Sequence, residues 1–406
     1  MLCQFSVKNF MCFRDEITLD MQATPISEHE EHLLIDKDGE SFLPIAVIYG
    51  PNGGGKSSLL RAVHSLHQKI MAPVYASRNE KEAYMSKTHN SAGFSGIQIM
   101  PFAFSEETLD APTEYEMYFR TTSAEFVYRS KIHKRNVILE HLARKKIGGS
   151  KFMGLFHRDG HSITLWNQFK RLATAGLSDD LPLLSFLIIL YSENAIIRDI
   201  FRWFDDKILF RNYGNPISEM RVSLSDDESR KKMILDMFKE MDIGISDYRV
   251  ERLDEQRLTV LAVHEVDGKT FELRLVNESS GTIKLFYLLP DIINSIVEGA
   301  TLIIDELDAK LHPILLKYII RLYTSPEINK KKAQLIFTSH DLATLNGEFF
   351  RRDEVWFVSK NRQETANLYS LVNFKYTGEN YSEEYLMGKF GADLYLRRFV
   401  EWGNAK

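Results

Sequence analysis

The sequence contains few cysteines and no apolar run of membrane-spanning length. Only Cys3 and Cys12 are present among 406 residues, which excludes a disulfide scaffold and favours a reducing compartment. The longest apolar stretch, Leu183 to Tyr191, is too short to cross a bilayer. The first ten residues alternate polar and apolar side chains and lack the apolar core of a signal peptide. We therefore expect a cytoplasmic protein that has no membrane partner.

An excess of positive charge is also absent. The formal net charge is −5, so the chain as a whole offers no electrostatic support for nucleic-acid binding. The run 131–151, KIHKRNVILEHLARKKIGGSK, is locally basic and leaves nucleic acid as one possible partner. A solvated surface is the simpler interpretation of this run.

What the chain does contain is a glycine-rich loop between two apolar segments, IAVIYGPNGGGKSSLL at 45–60. Residues 50–57 fit the pattern G-x-x-x-x-G-K-[ST], and the flanks predict a buried strand at 45–49 and a helix from Ser57 to Leu66. Glycines allow the backbone N–H groups to face phosphate oxygens, and the following helix adds its positive end. A plain glycine-rich turn is the alternative.

The loop predicts ATP and Mg²⁺ as cofactors. We expect Lys56 to reach the outer phosphates and assist catalysis, and the Ser57 hydroxyl to bind the metal. The complete set of expected nucleotide-binding residues in the loop is Gly50, Pro51, Asn52, Gly53, Gly54, Gly55, Lys56, Ser57 and Ser58.

A second motif, TLIIDELDAKLHP at 301–313, reads as a buried strand that ends in two acids. Asp305 would lie at the ligand-bearing edge of the sheet and help to hold Mg²⁺. Glu306 would orient and deprotonate the water that attacks the γ-phosphate. An exposed Asp-Glu pair at the end of an ordinary strand is the alternative.

Two further motifs complete the set. LIFTSHD at 335–341 is another buried strand, after which His340 could hydrogen-bond the γ-phosphate or serve a purely structural role. NESSGTIKLF at 277–286 opens an amphipathic helix that Ser279 or Ser280 would cap.

The order of the elements predicts an α/β fold. Residues 2–9 and 15–21 suggest an N-terminal antiparallel hairpin, and 247–275 suggests another around Asp267-Gly268. Strands at 301–305, 334–338 and 354–359 alternate with helices, one of them at 313–323, which indicates a parallel sheet covered by helices. We predict a discontinuous nucleotide-binding domain, 1–130 and 245–406, that carries a mostly helical insert at 131–244.

Taken together, the motifs FSVKNF, GPNGGGKS, ESSGT, LIIDELD and TSHD resemble the ABC-type ATPase heads of the SMC and RecF kind. The signature variant ESSGT, the tail LDAKLHP and YLMGKFGA at 385–392 look closer to a compact bacterial branch. That branch includes relatives of OLD proteins and the ATPase subunits of RloA-like and PARIS-type phage-defence systems. The chain departs from the pattern at Met11, where the family often has Arg, and at Glu278, where the signature usually begins with an apolar residue. Gln98 matches the family's loop glutamine only by position.

The resemblance implies that ATP is held between two subunits. One subunit would contribute Lys56, Ser57, Asp305, Glu306 and His340. The other would contribute Ser279 and Gly281, and Asp308 would lie between the two sites. A homodimer or higher homo-oligomer follows, closed by ATP binding and released by hydrolysis.

The resemblance also implies a function, namely a regulatory ATPase of a bacterial anti-phage system that controls a separate toxic effector such as a nuclease. An SMC- or RecF-like DNA-repair ATPase is the main alternative. A transporter subunit and an ATP-gated scaffold without hydrolysis are further alternatives, but the large insert argues against the first and the Asp305-Glu306 pair against the second.

Overall fold

The computed structural model describes residues 1–78, 80, 99–212, 228–252, 258–375, 378 and 380–391. The strands are β1 (Leu2–Lys8), β2 (Ile17–Asp20), β3 (Leu34–Ile35), β4 (Ser41–Phe42), β5 (Ile45–Tyr49), β6 (Thr113–Arg120), β7 (Ala124–His133), β8 (Asn136–Lys146), β9 (Met153–Asp159), β10 (Ser162–Leu165), β11 (Ile208–Asn212), β12 (Asp247–Arg252), β13 (Leu258–Val266), β14 (Lys269–Arg274), β15 (Thr301–Asp305), β16 (Gln334–Thr338), β17 (Val355–Lys360) and β18 (Ala366–Ser370).

The α-helices in the described part of the chain are α1 (Lys56–Ser77), α2 (Glu106–Leu109), α3 (Leu183–Leu190), α4 (Ala195–Asp206), α5 (Glu228–Glu240), α6 (Ser280–Glu298), α7 (Pro313–Thr324) and α8 (Tyr381–Leu386). Within the described ranges, none of these helices has the length and apolar character that crossing a membrane requires. The predicted mixture of parallel and antiparallel strands with helices is confirmed.

An antiparallel sheet of seven strands, in the order β10-β9-β8-β7-β6-β1-β2, contains the predicted N-terminal hairpin. Gln4 pairs with Asp20 and Val7 with Ile17. Residues 99–104 are irregular, and Gln98 lies outside the described residues.

The segment 131–165 corrects the expectation of a mostly helical insert. Its residues form the end of β7 and all of β8, β9 and β10, which extend the N-terminal sheet. β8 pairs antiparallel with both β7 and β9, and its buried residues include Val137, Glu140 and Leu142, so the segment is stabilised as an inner strand of the sheet. Within the described part of 131–244, the α-helices begin at Leu183 and are α3, α4 and α5.

A six-stranded sheet, β11-β15-β16-β5-β17-β18, carries the nucleotide-binding motifs. Its strands are parallel apart from β18, which pairs antiparallel with β17. Every residue of β5, β15 and β16 is buried, because helices cover both faces of a sheet of this kind. The parallel pairing places the carboxyl ends of these three strands at one edge.

Residues 339–353 are irregular, although a helix is expected between β16 and β17. The Asp341 side chain accepts hydrogen bonds from the backbone N–H groups of Ala343 and Thr344 and from the Thr344 hydroxyl. Such bonds compete with the helical pattern and hold the chain in a turn.

The predicted hairpin at 247–275 is confirmed as β12, β13 and β14. Asp267 and Gly268 have φ values of 51° and 73°, as a two-residue hairpin turn requires. Glu278 lies near this sheet, because its carboxylate accepts a hydrogen bond from His264 Nε2 at 2.8 Å.

Candidate nucleotide-binding site

The glycine-rich loop follows β5 and ends at α1, which begins at Lys56. Gly50, Gly53 and Gly55 have φ values of 154°, 73° and 117°, which L side chains rarely adopt. A Cβ at Gly50 would lie 2.3 Å from the Val358 carbonyl oxygen, and one at Gly55 would lie 2.8 Å from Cys12 Sγ. The loop therefore needs glycine for backbone conformation and for close packing.

The Lys56 side chain folds back into the glycine-rich loop that precedes it. Its Nζ donates hydrogen bonds to the carbonyl oxygens of Gly50, at 2.8 Å, and Pro51, at 3.2 Å. Burial lowers the pKa of the Lys56 ammonium to about 8, although the carboxylates of Asp305, Glu306 and Asp308 oppose this shift. The charge needed to bind phosphate is thus partly lost just above neutral pH.

The loop borders a cavity of about 160 Å³. The lining residues are Cys12, Pro51, Asn52, Gly53, Gly55, Lys56, Ser57, Ser58, Glu306, His340 and Lys360. The structure therefore brings Lys56, Glu306 and His340 to one site, as the sequence predicts. The expected residues outside this wall are Gly50, Gly54, Ser279, Gly281, Asp305 and Asp308.

Thr338 connects the two acids that follow β15. Its hydroxyl donates a 2.6 Å hydrogen bond to Asp305 Oδ1 and accepts a 2.7 Å bond from the Glu306 backbone N–H. Glu306 has a φ of 52°, an uncommon backbone conformation for a side chain of this size. The bend directs the exposed Glu306 to the cavity and leaves Asp305 buried behind it.

The position of His340 is fixed by a hydrogen bond from its backbone to Asp308. Its N–H donates to Asp308 Oδ2 at 3.0 Å. Burial lowers the pKa of the His340 imidazole, and the nearby Lys56 ammonium adds to this effect, whereas Asp308 and Glu306 oppose it. The ring is therefore neutral at pH 7 and has one N–H available for a phosphate oxygen.

Lys284, on the first turns of α6, contacts the loop that follows Glu306. Its fully buried Nζ donates to the carbonyl oxygens of Glu306 at 2.9 Å, Leu307 at 2.8 Å and Ala309 at 2.8 Å. These three bonds fix the backbone on the C-terminal side of Glu306, while Thr338 fixes its N–H. Lys284 thereby connects the signature helix to the backbone of Glu306.

The signature residues open α6. Of the two serines expected as the cap, Ser279 is the N-cap, and its Oγ accepts a 3.1 Å hydrogen bond from the Thr282 backbone N–H. A Cβ at Gly281 would lie 2.9 Å from the Lys310 carbonyl oxygen, so glycine permits this close approach. Ser279 itself is exposed.

Four residues of the site are not assigned from the sequence. Thr338 belongs to the motif TSHD and Lys284 to NESSGTIKLF, but neither motif indicates a function for these two side chains. Cys12 and Lys360 reach the cavity from other elements, and no local pattern indicates this. Burial raises the pKa of the Cys12 thiol, and its interaction with the Ser58 side chain opposes this shift.

The depressed pKa of Lys56 predicts a pH-dependent affinity for ATP. The ammonium form is present below the pKa and is lost as pH rises through it, so the apparent Kd should rise about twofold at pH 8 and about tenfold at pH 9, relative to pH 6.5. Calorimetric titration with a non-hydrolysable ATP analogue would measure this change. In Lys56→Arg the charge persists throughout, so its profile should be flat. A flat profile in the unmodified protein would contradict the proposed contact.

The three bonds of Lys284 predict a positioning role. Lys284→Met leaves three carbonyl oxygens without their donor and should lower kcat for ATP hydrolysis about 10- to 100-fold, with little change in KM. Steady-state kinetics and thermal unfolding should be compared with Lys317→Met, a lysine on α7 whose Nζ instead lies over the Phe349 ring. A lower melting temperature with unchanged kcat would assign Lys284 a structural role only.

One family model and several solved structures are similar to the chain. The family model described as "AAA domain, putative AbiEii toxin, Type IV TA system" matches residues 45–346. The SMC head domain from Thermotoga maritima is 15% identical, with 91% of this chain and 98% of that one covered and a TM-score of 0.42. An SMC head bound to the C-terminal winged-helix domain of ScpA is 14% identical, with 91% and 97% covered and a TM-score of 0.41. A RecF structure from the RecFOR pathway is 13% identical, with 91% and 98% covered and a TM-score of 0.32. No curated protein matches the chain.

Proposed function

The chain belongs to this AAA-domain family, and on that premise we propose that it is an ATP-hydrolysing regulatory subunit of a bacterial anti-phage defence system. It would dimerise around ATP and control a separate toxic effector, such as a nuclease. The observation that carries the ATPase assignment is the meeting of Lys56 and Glu306 in one cavity, with the Glu306 backbone fixed by Thr338. A protein that only binds ATP does not require a carboxylate in that place.

The residues present fit a Mg²⁺ ion. The Oδ1 atom of Asp305 accepts a hydrogen bond from Thr338, and its Oδ2 atom has none from the residues that the structure describes. Ser57 supplies a hydroxyl in the first turn of α1. Hard oxygen donors of this kind suit magnesium. When bound, the ion would neutralise charge on the phosphates of ATP.

The reaction would proceed by positioning and proton transfer. Lys56 and the backbone N–H groups of the loop hold the β- and γ-phosphates, and the neutral His340 donates a hydrogen bond to the γ-phosphate. Glu306 orients the attacking water and accepts its proton as the bond to phosphorus forms.

The dimer is supported by where Ser279 and Gly281 lie. Neither lines the cavity of its own chain, and the exposed Ser279 stands at the N-terminus of a 19-residue helix, whose partial positive charge suits a phosphate. We propose that Ser279 and Gly281 complete the site of the partner subunit, with Asp308 between the two sites. We propose that the effector contacts the segment 131–244 of an ATPase domain formed by 1–130 and 245–406. The first part of that segment, 131–165, extends the N-terminal sheet.

Nucleic-acid binding has less support. In the basic run, Lys131 pairs with Glu114 at 2.8 Å and Lys145 with Glu125 at 3.1 Å. Lys134, between them, pairs with Asp110 at 3.0 Å. These carboxylates offset three of the seven Lys and Arg charges of the run, so a DNA-repair ATPase is the second candidate.

Purification of the protein with its natural genomic neighbours tests the regulatory role. We expect a stoichiometric complex with a nuclease or another toxin, whose composition changes when ATP is added. Recovery of the chain alone, bound to duplex DNA in a strongly salt-dependent manner, would instead favour the repair function.

A further inference from the structure

A second cavity, of about 490 Å³, lies at the opposite edge of the parallel sheet. Its wall includes Lys207, which directly precedes β11, and the segment 330–332, which closely precedes β16. It therefore lies at the amino ends of the parallel strands, whereas the ATP loop lies at their carboxyl ends. Its volume falls in the range of small-molecule sites.

The lining of this cavity has a surplus of positive charge, with seven lysine and arginine side chains and only three acidic ones. The acids already have partners. Asp36 pairs with Arg120 at 3.0 Å and with Lys332 at 2.9 Å. Asp199 accepts hydrogen bonds from the Thr121 and Ser123 hydroxyl groups, both at 2.6 Å.

Four of the cations have no such partner. No ion pair within 4.0 Å joins them to any residue that the structure describes; they are Lys37, Arg202, Lys330 and Lys331. All four are exposed, so each side chain can turn toward a ligand in the cavity. Unpaired cations that line a concave surface attract and bind anions.

The Trp203 side chain forms an apolar part of the cavity wall. It lines the cavity, is 2% exposed, and packs against the Phe119 ring with centroids 4.2 Å apart. Its indole Nε1–H is buried and finds no hydrogen-bond acceptor among the described residues. Because this N–H has essentially no accessible surface, the polar contacts to a ligand would come from the exposed cations and not from Trp203.

The cavity also contacts the far end of the signature helix. α6 ends at Glu298, and Gly299, with a φ of 65°, packs so closely on the next segment that a Cβ would lie 2.2 Å from the Lys331 carbonyl oxygen. A ligand that moves segment 330–332 would therefore also displace the C-terminal end of α6.

We propose that this cavity binds a small phosphate-bearing molecule of up to nucleotide size, separately from the ATP site. Arg202 and Lys331, from two different walls, hold its phosphate oxygens. The proposal depends on the cavity alone and not on the regulatory function proposed above.

Calorimetric titration with inorganic pyrophosphate, at low ionic strength, tests the proposal. The protein should carry Lys56→Ala, so that the ATP loop does not contribute. We expect one pyrophosphate per chain, bound at least tenfold more weakly when Arg202→Ala and Lys331→Ala are added. The exposed pair Lys170→Ala and Arg171→Ala, which lies outside the cavity and removes the same charge, is the matched control and should leave the affinity unchanged.

Three outcomes would overturn the proposal. Pyrophosphate binding that disappears with Lys56→Ala alone would belong entirely to the ATP loop. Binding that survives the loss of Arg202 and Lys331 would lie elsewhere. An equal loss in the control pair would indicate attraction by overall charge rather than a defined site.

Discussion

Replacement of Glu306 by glutamine should lower kcat for ATP hydrolysis by about 10³-fold and leave the affinity for ATP nearly unchanged. The amide keeps the size of the side chain but cannot accept the proton of the attacking water. The backbone bonds from Thr338 and Lys284 involve main-chain atoms and survive the change. ATP is then bound without being consumed, so the dimer should accumulate.

The accumulation is measured by light scattering during size-exclusion chromatography, with Mg²⁺ and either ATP or ADP. The dimer should form with ATP and not with ADP. Glu327→Gln, an exposed acid outside the cavity, is the matched control and should hydrolyse ATP normally. Normal hydrolysis by the Glu306 variant would mean that another group activates the water.

Replacement of Lys56 by alanine should abolish measurable ATP binding. The ammonium is the charged group that reaches into the loop from α1, and its removal eliminates the contact to the outer phosphates. We expect the apparent Kd to rise by at least about 100-fold, which is about 2.7 kcal/mol of binding free energy.

The fold should tolerate this change. Lys56 gives up only its bonds to the Gly50 and Pro51 carbonyl oxygens, which become accessible to water once the side chain is removed. Lys69→Ala, further along the same helix, is the control, since its Nζ bonds to the Arg135 carbonyl oxygen far from the loop. Unchanged ATP affinity in the Lys56 variant, together with a normal melting temperature, would show that Lys56 does not contact the phosphates of ATP.

Local sequence patterns were sufficient to predict an element wherever the residue types in it favour one backbone structure. Buried parallel strands are continuously apolar, so β5, β15 and β16 could be predicted together with the glycine loop that follows β5. The Ser279 cap and the Asp267-Gly268 turn were predictable for the same reason, because short-range backbone chemistry determines both.

Contacts between distant segments were not predictable. The bonds of Lys284 to the loop after Glu306 connect residues more than twenty positions apart, and those of Thr338 to Asp305 connect residues 33 apart. The sequence of α6 does not indicate that its buried Lys284 binds the carbonyl oxygens of a distant loop. The segment 131–165 was misread for a related reason, since its strands are stable only as an extension of a sheet that begins at β1.

A mixing experiment tests the central claim, an ATP site completed by two subunits, most directly. Ser279→Asp keeps a side chain that caps α6 well but places a negative charge where the γ-phosphate of the partner should lie. Alone, this variant and Lys56→Ala should both be inactive. Mixed, they should form a heterodimer that has one intact site, and ATP hydrolysis should return. Absence of activity at every mixing ratio, or full activity of Ser279→Asp alone, would contradict the two-subunit site.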